Sequence, residues 1–254
     1  MNPHPEVAGG FDWHATPVGL VLRAAPLDPF AQHAFTMRGC RFRDDTTTAD
    51  YGRLGQLFDV SPDRIARVTQ VHGRTVKVVQ HGSSLPDVGD ADALVSFGAD
   101  CALSVRVADC VPILLADRGR RVVAAVHAGW RGTCAGIVSD TVALIRDAGV
   151  PPKDLVAAIG PAIGQCCYQV DDRVRTTFLG MTPDAAAWFD EDGPGHWRLD
   201  LWRANADQLE DAGLPPNAIH VAGVCTAEGV ETCYSYRREG PRAGRMVAAI
   251  RLRA

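Results

Sequence analysis

The chain has 254 residues, 46% of them hydrophobic and 22% charged, with a formal net charge of -4 and an isoelectric point near 6.0. Such a length and balance suit a soluble globular protein with a sizeable core, and indicate neither disorder nor a membrane span. A dedicated nucleic-acid binder would carry a strong basic excess, so that class is excluded as well.

The opening residues Met1-Asn2-Pro3-His4-Pro5-Glu6 lack a basic region followed by an apolar one, so residence in the cytoplasm is expected. In a chain of this size without a leader, the eight cysteines are expected to be reduced thiols. Apolar runs at 18–22 and 34–36 read as strands, the second leading into Met37-Arg38-Gly39. Tyr51, Leu54, Leu57 and Phe58 then fall on one face of a helix over 48–58. A β-dense centre follows, with strands expected at 65–70, 75–80, 93–96, 101–108, 111–115 and 121–126.

Beyond Trp130 the spacing of Ile137, Val138, Thr141, Val142, Leu144 and Ile145 predicts a helix over 134–148, ended by Gly149 and Pro151. Residues 155–159 read as a buried strand, 172–179 and 199–212 as helices, and 219–224 and 246–252 as strands. The stretch 183–195 is the most loop-like. Strands and helices interleave without a regular βαβ rhythm, so a mixed-sheet architecture in a single domain over 1–254 is expected. Neither a GxGxxG run nor a Walker-type loop is present, so dinucleotide and P-loop binding have no local support.

Three separated motifs hold soft or borderline metal ligands: His72 before Gly73, Cys110 after Asp109, and His127 in His127-Ala128-Gly129-Trp130-Arg131-Gly132. Two imidazoles and one thiolate suit zinc, and three protein ligands leave a fourth position open, as catalytic zinc requires. Copper is the alternative ion. The runs before Cys110 and His127 read as strands, which would put both ligands at strand ends. Each residue also has a plainer reading, the cysteine as a small buried hydrophobe and either histidine as a hydrogen-bonded core residue. The remaining cysteines, Cys40, Cys101, Cys134, Cys225 and Cys233, show no metal spacing and read as buried, while Cys166 and Cys167 are adjacent.

The motifs Thr69-Gln70-Val71-His72-Gly73, Ala91-Asp92-Ala93-Leu94-Val95, Ala108-Asp109-Cys110-Val111-Pro112, His127 to Gly132, and Ile159-Gly160-Pro161 through Tyr168 occur in that order. With Ser235-Tyr236-Arg237-Arg238 and Gly244-Arg245-Met246 they closely resemble the YfiH family, also called laccase-domain proteins, over nearly the whole chain. The resemblance implies an α+β fold of two mixed β-sheets packed face to face and flanked by helices, in α/β/β/α layers similar to the deamidase domain of cytotoxic necrotising factor. It implies zinc on His72, Cys110 and His127. It further implies a purine nucleoside enzyme, performing phosphorolysis of adenosine, inosine, guanosine or methylthioadenosine and deamination of adenosine. Nucleosides and phosphate are thus the expected partners, with no nucleic acid and no membrane.

The chain departs from the family pattern in two places. Arg38-Gly39 is followed by Cys40-Arg41-Phe42-Arg43 without the family's longer glycine-rich stretch, and Gln169 stands where a glutamate is usual. For deamination the expected base is Asp109, although neighbours on a strand point to opposite faces. For phosphorolysis Arg38, Arg237 and Arg245 are the candidate phosphate ligands, because a guanidinium fork binds such anions bidentately. Trp130 is a candidate stacking surface for the purine, or a core residue. Rival readings are a metal-free hydrolase or deamidase with Cys110 as nucleophile and His127 as base, a peptidoglycan-editing factor, and a non-catalytic binder. A multicopper polyphenol oxidase would need closely paired histidines, but the chain has eight histidines and no His-x-His.

Overall fold

Runs of valine, leucine, isoleucine and alanine, branched or small and spaced by turn residues, make β-strands the larger part of the regular structure. The computed structural model describes residues 4–43, 46–80, 82–83 and 85–253. In chain order the first strands are β1 (Phe11–Thr16), β2 (Gly19–Ala24), β3 (Ala31–Thr36), β4 (Ile65–Thr69), β5 (Val76–Val79), β6 (Asp87–Asp90), β7 (Ala93–Ser96) and β8 (Ala102–Val107). They are followed by β9 (Val111–Asp117), β10 (Val123–Ala128), β11 (Leu155–Ile159), β12 (Gln169–Asp171), β13 (Phe189–Glu191), β14 (His196–Leu199), β15 (Ile219–Val221) and β16 (Met246–Leu252). The helices are α1 (Thr47–Phe58), α2 (Trp130–Ala135), α3 (Ile137–Asp147), α4 (Asp172–Leu179), α5 (Leu201–Asp211) and α6 (Tyr236–Glu239).

Two large sheets result, with strand orders β1-β2-β3-β16-β8-β4-β6 and β15-β11-β9-β10-β7-β5, beside a small sheet β12-β14-β13. Both large sheets are mixed. β4 runs parallel to β6 and β8 in the first, and β11–β15 and β5–β7 are parallel pairs in the second.

Side-chain alternation along each strand explains the stacking. Leu22, Phe35, Leu103, Val105 and Ile250 of the first sheet meet Leu94, Leu114, Val123, Ala125 and Val156 of the second in the central core. Ala124 and Val126, one step out of phase, face the other way and meet Ile137, Val138, Val142 and Ile145 of α3 and Leu201 and Leu209 of α5. The outer face of the first sheet, with Val21, Ala34, Ile65 and Val247, is covered by Tyr51, Leu54 and Phe58 of α1. Each fully buried side chain of this kind contributes about 1.5–3 kcal/mol, so the α/β/β/α layering follows from burying both faces of both sheets. Close sheet contact has a local requirement at Gly160, where an added Cβ would stand 2.3 Å from the Phe35 ring.

Several elements differ from the sequence reading. The helix expected over 134–148 is two helices, because Gly136 takes φ 83° and turns the chain between α2 and α3. The stretch 183–195 contains a 3-10 turn, Pro183–Trp188, and the strand β13. Its apolar side chains are not loop-like, since Trp188 and Phe189 both meet the Phe178 ring edge-on. The strand expected over 219–224 ends at Val221. The short strands β6, β12, β13 and β14 carry charged residues and give no apolar alternation, so pairing alone defines them. No helix of the described residues is long and apolar enough to cross a membrane.

Candidate functional site

The second sheet and its connections bring the three expected ligands together. Cys110 immediately precedes β9, and His127 lies within β10, opposite Pro112 of β9. His127, the penultimate residue of β10, thus sits at a strand end as expected, and it is 3% exposed. His72 arrives from the connection between β4 and β5 with φ 57°. The ligand atoms of His72, Cys110 and His127 all lie within 4.8 Å of one another, and the two imidazole rings meet edge-on at 4.9 Å between centroids. Gly129 makes this approach sterically feasible, since a Cβ there would stand 2.9 Å from Cys110 Sγ and 3.2 Å from His72 Cδ2.

Asp92, the residue before β7 and 0% exposed, organises the cluster from behind. His127 Nδ1 donates to its Oδ1 at 2.9 Å. The backbone N–H of His72 donates to the same oxygen at 3.0 Å, and that of Gly73 to Oδ2 at 2.7 Å. One carboxylate thereby fixes the His127 tautomer, leaving Nε2 toward the cluster, and holds the strained His72 turn. Burial opposes its charge, but these donors keep the Asp92 carboxyl below its ordinary range.

Electrostatics within the cluster favour a thiolate beside an imidazolium. Burial pushes the Cys110 thiol up, yet His127 and then His72 outweigh it and bring it down to about 6. Burial likewise disfavours the charged His127, but the Cys110 sulfur and Asp92 carboxylate raise it to about 9. A thiolate is both the nucleophilic and the metal-binding form of cysteine.

The cluster opens into a cavity of about 810 Å³ lined also by Arg43, Arg106, Arg237, Arg245, Tyr168, Tyr236 and Asp109. The Arg237 guanidinium donates to the carbonyl oxygens of Cys167 and Gln169, and that of Arg245 to those of Ala243 and Gly244. Burial, and then the like charges of Arg43 and Arg106, lower the pKa of Arg245. This is a cationic wall inside a protein of net negative charge.

The remaining sequence candidates fall elsewhere or take other parts. Asp109 lines the cavity, and with φ 87° it leaves the strand geometry that would have turned it from Cys110. Its Oδ1 accepts from Thr226 Oγ1 at 2.6 Å and its Oδ2 from the Arg237 backbone N–H at 2.6 Å. Both oxygens thus tether neighbouring segments. Arg38 lies outside this cavity: it is ion-paired with Glu239, stacked over the Tyr234 ring at 4.5 Å, and bonded to the Val230 carbonyl. Trp130 packs against the outer helical core, with Arg131 over its ring, and does not line the cavity.

Asp92, Tyr168 and Tyr236 stood in the family motifs without a part in the site assigned to them, and Arg106 was not singled out by the sequence reading. For Asp92 the available signal was an acidic residue directly before the apolar run Ala93-Leu94-Val95 of a buried strand, a position that demands a partner. Arg106 gave none, being one charge in an otherwise apolar strand.

A family model described as multi-copper polyphenol oxidoreductase laccase matches residues 39–253. The chain belongs to that family. It is 36% identical over 223 residues to a protein of Geobacillus stearothermophilus named purine nucleoside phosphorylase YlmD, covering 84% of this chain and 81% of that one. A purine nucleoside phosphorylase of Deinococcus radiodurans is 35% identical, covering 93% of this chain and 95% of the relative. Among solved structures, the hypothetical protein YfiH of Bacillus licheniformis superposes with a TM-score of 0.88 at 26% identity, covering 97% of this chain and 100% of its own. YlmD from Geobacillus stearothermophilus superposes with a TM-score of 0.85 at 32% identity, covering 92% and 96%. These likenesses agree with the α+β, two-sheet fold described above. The donor set of two imidazoles and one thiolate, with the Asp92 carboxylate behind it to orient His127, fits a borderline-soft metal ion.

Proposed function

We propose that this chain is a zinc-dependent purine nucleoside phosphorylase that also deaminates adenosine and works in the cytoplasm. The observation that carries the reading is one cavity lined both by His72, Cys110 and His127 and by Arg106, Arg237 and Arg245. The printed names of the relatives support the reaction class. Adenosine, inosine, guanosine and methylthioadenosine are the substrates of choice.

Phosphorolysis forms a bond from a phosphate oxygen to C1' of the ribose and breaks the N-glycosidic bond, whose electron pair leaves with the purine. Positive charge develops on the ribose and negative charge on the base. Arg43 and Arg106 crowd their like charges on Arg245, which a phosphate dianion would neutralise, so phosphate is held among these guanidinium groups. Arg237, anchored through its carbonyl contacts and through Asp109, closes that side. Burial and the neighbouring Cys110 raise the Tyr168 pKa, so its hydroxyl stays protonated and can donate to the departing base. Asp109 positions Arg237 and Thr226 and does not serve as a free base. His72, Cys110 and His127 would hold the zinc ion, which supplies Lewis acidity next to the reacting bond.

The test is chromatography of products after incubating metal-replete protein with inosine and with adenosine, with and without phosphate. Hypoxanthine and ribose 1-phosphate should form from inosine only when phosphate is present, and inosine should form from adenosine in its absence. Failure to release base from both inosine and adenosine in the presence of phosphate would refute the reading.

A second reading has one specific observation in its favour: the Cys110 thiolate, His127 imidazolium and Asp92 carboxylate form the constellation of a metal-free cysteine hydrolase. In that case activity would survive chelators and be destroyed by alkylation. Loss of activity on chelation, restored by zinc, decides for the metal enzyme.

A further inference from the structure

A second group of thiols lies outside the cluster just described. Cys166 and Cys167 occupy the 3-10 turn Gln165–Cys167, and Cys225 follows β15 on a segment bridged to the first by Ala162 and Cys225. Their three sulfurs lie within 4.8 Å of one another. Sulfurs bound at about 2.3 Å to one ion stand roughly 3.8–4.0 Å apart, so little adjustment separates this arrangement from a coordination sphere.

The surroundings are built for the thiols. The Gly164 N–H donates to Cys225 Sγ at 3.2 Å, the kind of outer contact that orients a metal-bound sulfur. A Cβ at Gly164 would stand 3.2 Å from Cys166 Sγ and 3.2 Å from the Cys225 Cβ, so a side chain there would press on both cysteines and glycine eases the close approach of the two segments. Ile163, Ala227 and Trp202 pack against Cys225 and Cys167. Cys225 is 9% exposed and Cys166 is exposed, which gives an ion a way in.

We propose that Cys166, Cys167 and Cys225 form a second metal site, which takes a thiophilic closed-shell divalent ion of the zinc and cadmium class and leaves a fourth position to solvent. On binding, each thiol loses its proton to solvent as its sulfur bonds the ion, and nothing is oxidised or reduced. The ion braces the wall of the cavity, because Tyr168 lines it and the Cys167 carbonyl accepts from Arg237. The proposal is independent of the ion held by His72, Cys110 and His127.

Cadmium titration of reduced full-length protein carrying Cys110→Ala isolates the second site, read by the ultraviolet sulfur-to-cadmium charge-transfer band and by proton release in weak buffer. The expected result is one ion bound per chain, with a band intensity of three thiolates, and loss of that band in Cys110→Ala/Cys225→Ser. Should the second variant fail to fold, Cys110→Ala/Cys166→Ser alters an exposed residue and should lower the intensity by one third or abolish tight binding. The absence of a thiolate band in Cys110→Ala would overturn the proposal, as would a band unchanged by both second substitutions. A disulfide between Cys225 and either neighbour in protein prepared with zinc present would also overturn it.

Discussion

Replacing Asp92 with asparagine is the sharpest probe of the site, because it preserves shape while removing charge and one acceptor. The carboxylate is 0% exposed and accepts from His127 Nδ1 and from the backbone N–H groups of His72 and Gly73. An asparagine oxygen in the Oδ1 position would retain the first two bonds. Its NH2 would then face the Gly73 N–H, donor against donor. A hydrogen bond to a charged group is worth about 1.5–3 kcal/mol, and loss of such an orienting carboxylate typically costs about 10- to 100-fold in metal affinity or activity. Asp92→Asn should therefore weaken zinc binding by about 10- to 100-fold, measured by competition with a chromophoric chelator, and lower inosine phosphorolysis in parallel at limiting zinc. Asp92→Ala, which strands three donors at about 1–3 kcal/mol each, should instead lower the melting temperature severely. Zinc affinity of Asp92→Asn within about twofold of wild type would refute the claim that this carboxylate sets the His127 and His72 geometry.

Arg245→Ala and Arg106→Ala should each raise the KM for phosphate by about tenfold or more through loss of charge-assisted hydrogen bonds, while Arg38→Ala, paired with Glu239 away from the cavity, should leave it within about twofold; steady-state kinetics at varied phosphate compares them. In protein stripped of metal, only the thiolate alkylates, and the Cys110 thiol is held down to about 6 from 9.0. Its rate with iodoacetamide should thus rise as pH increases through about 6 and level off well below 9, and mass spectrometry of the Cys110 peptide would count against the ion pair if the rise came near 9. Gly160→Ala puts a Cβ into the Phe35 ring, so overpacking between the sheets should cost about 1–3 kcal/mol or more, seen as a lower urea midpoint; an unchanged midpoint would mean the sheets can part without strain.

Local pattern in the chain was enough for the long apolar strands and for the helices 48–58 and 172–179, because burial of one face imposes a period that survives in the residues themselves. For His72, Cys110 and His127 local pattern gave only the ligand chemistry of each residue and the order of family motifs grouped them, while the fold brings their ligand atoms within 4.8 Å of one another. What local pattern could not supply was anything set by packing between distant segments. Gly136 reads as a tolerable residue inside a helix until its φ of 83° divides α2 from α3, and the charged strands β12, β13 and β14 exist only through pairing with each other. The arginines show the limit most clearly: Arg38 and Arg245 look alike in sequence, yet Glu239 takes the first out of the cavity and the folding of β16 beside β8 leaves the second in it. The orienting role of Asp92 and the meeting of Cys225 with Cys166 and Cys167 were likewise decided by the tertiary structure, since hydrogen bonds and metal coordination depend on separations of a few ångströms that no spacing along the chain encodes.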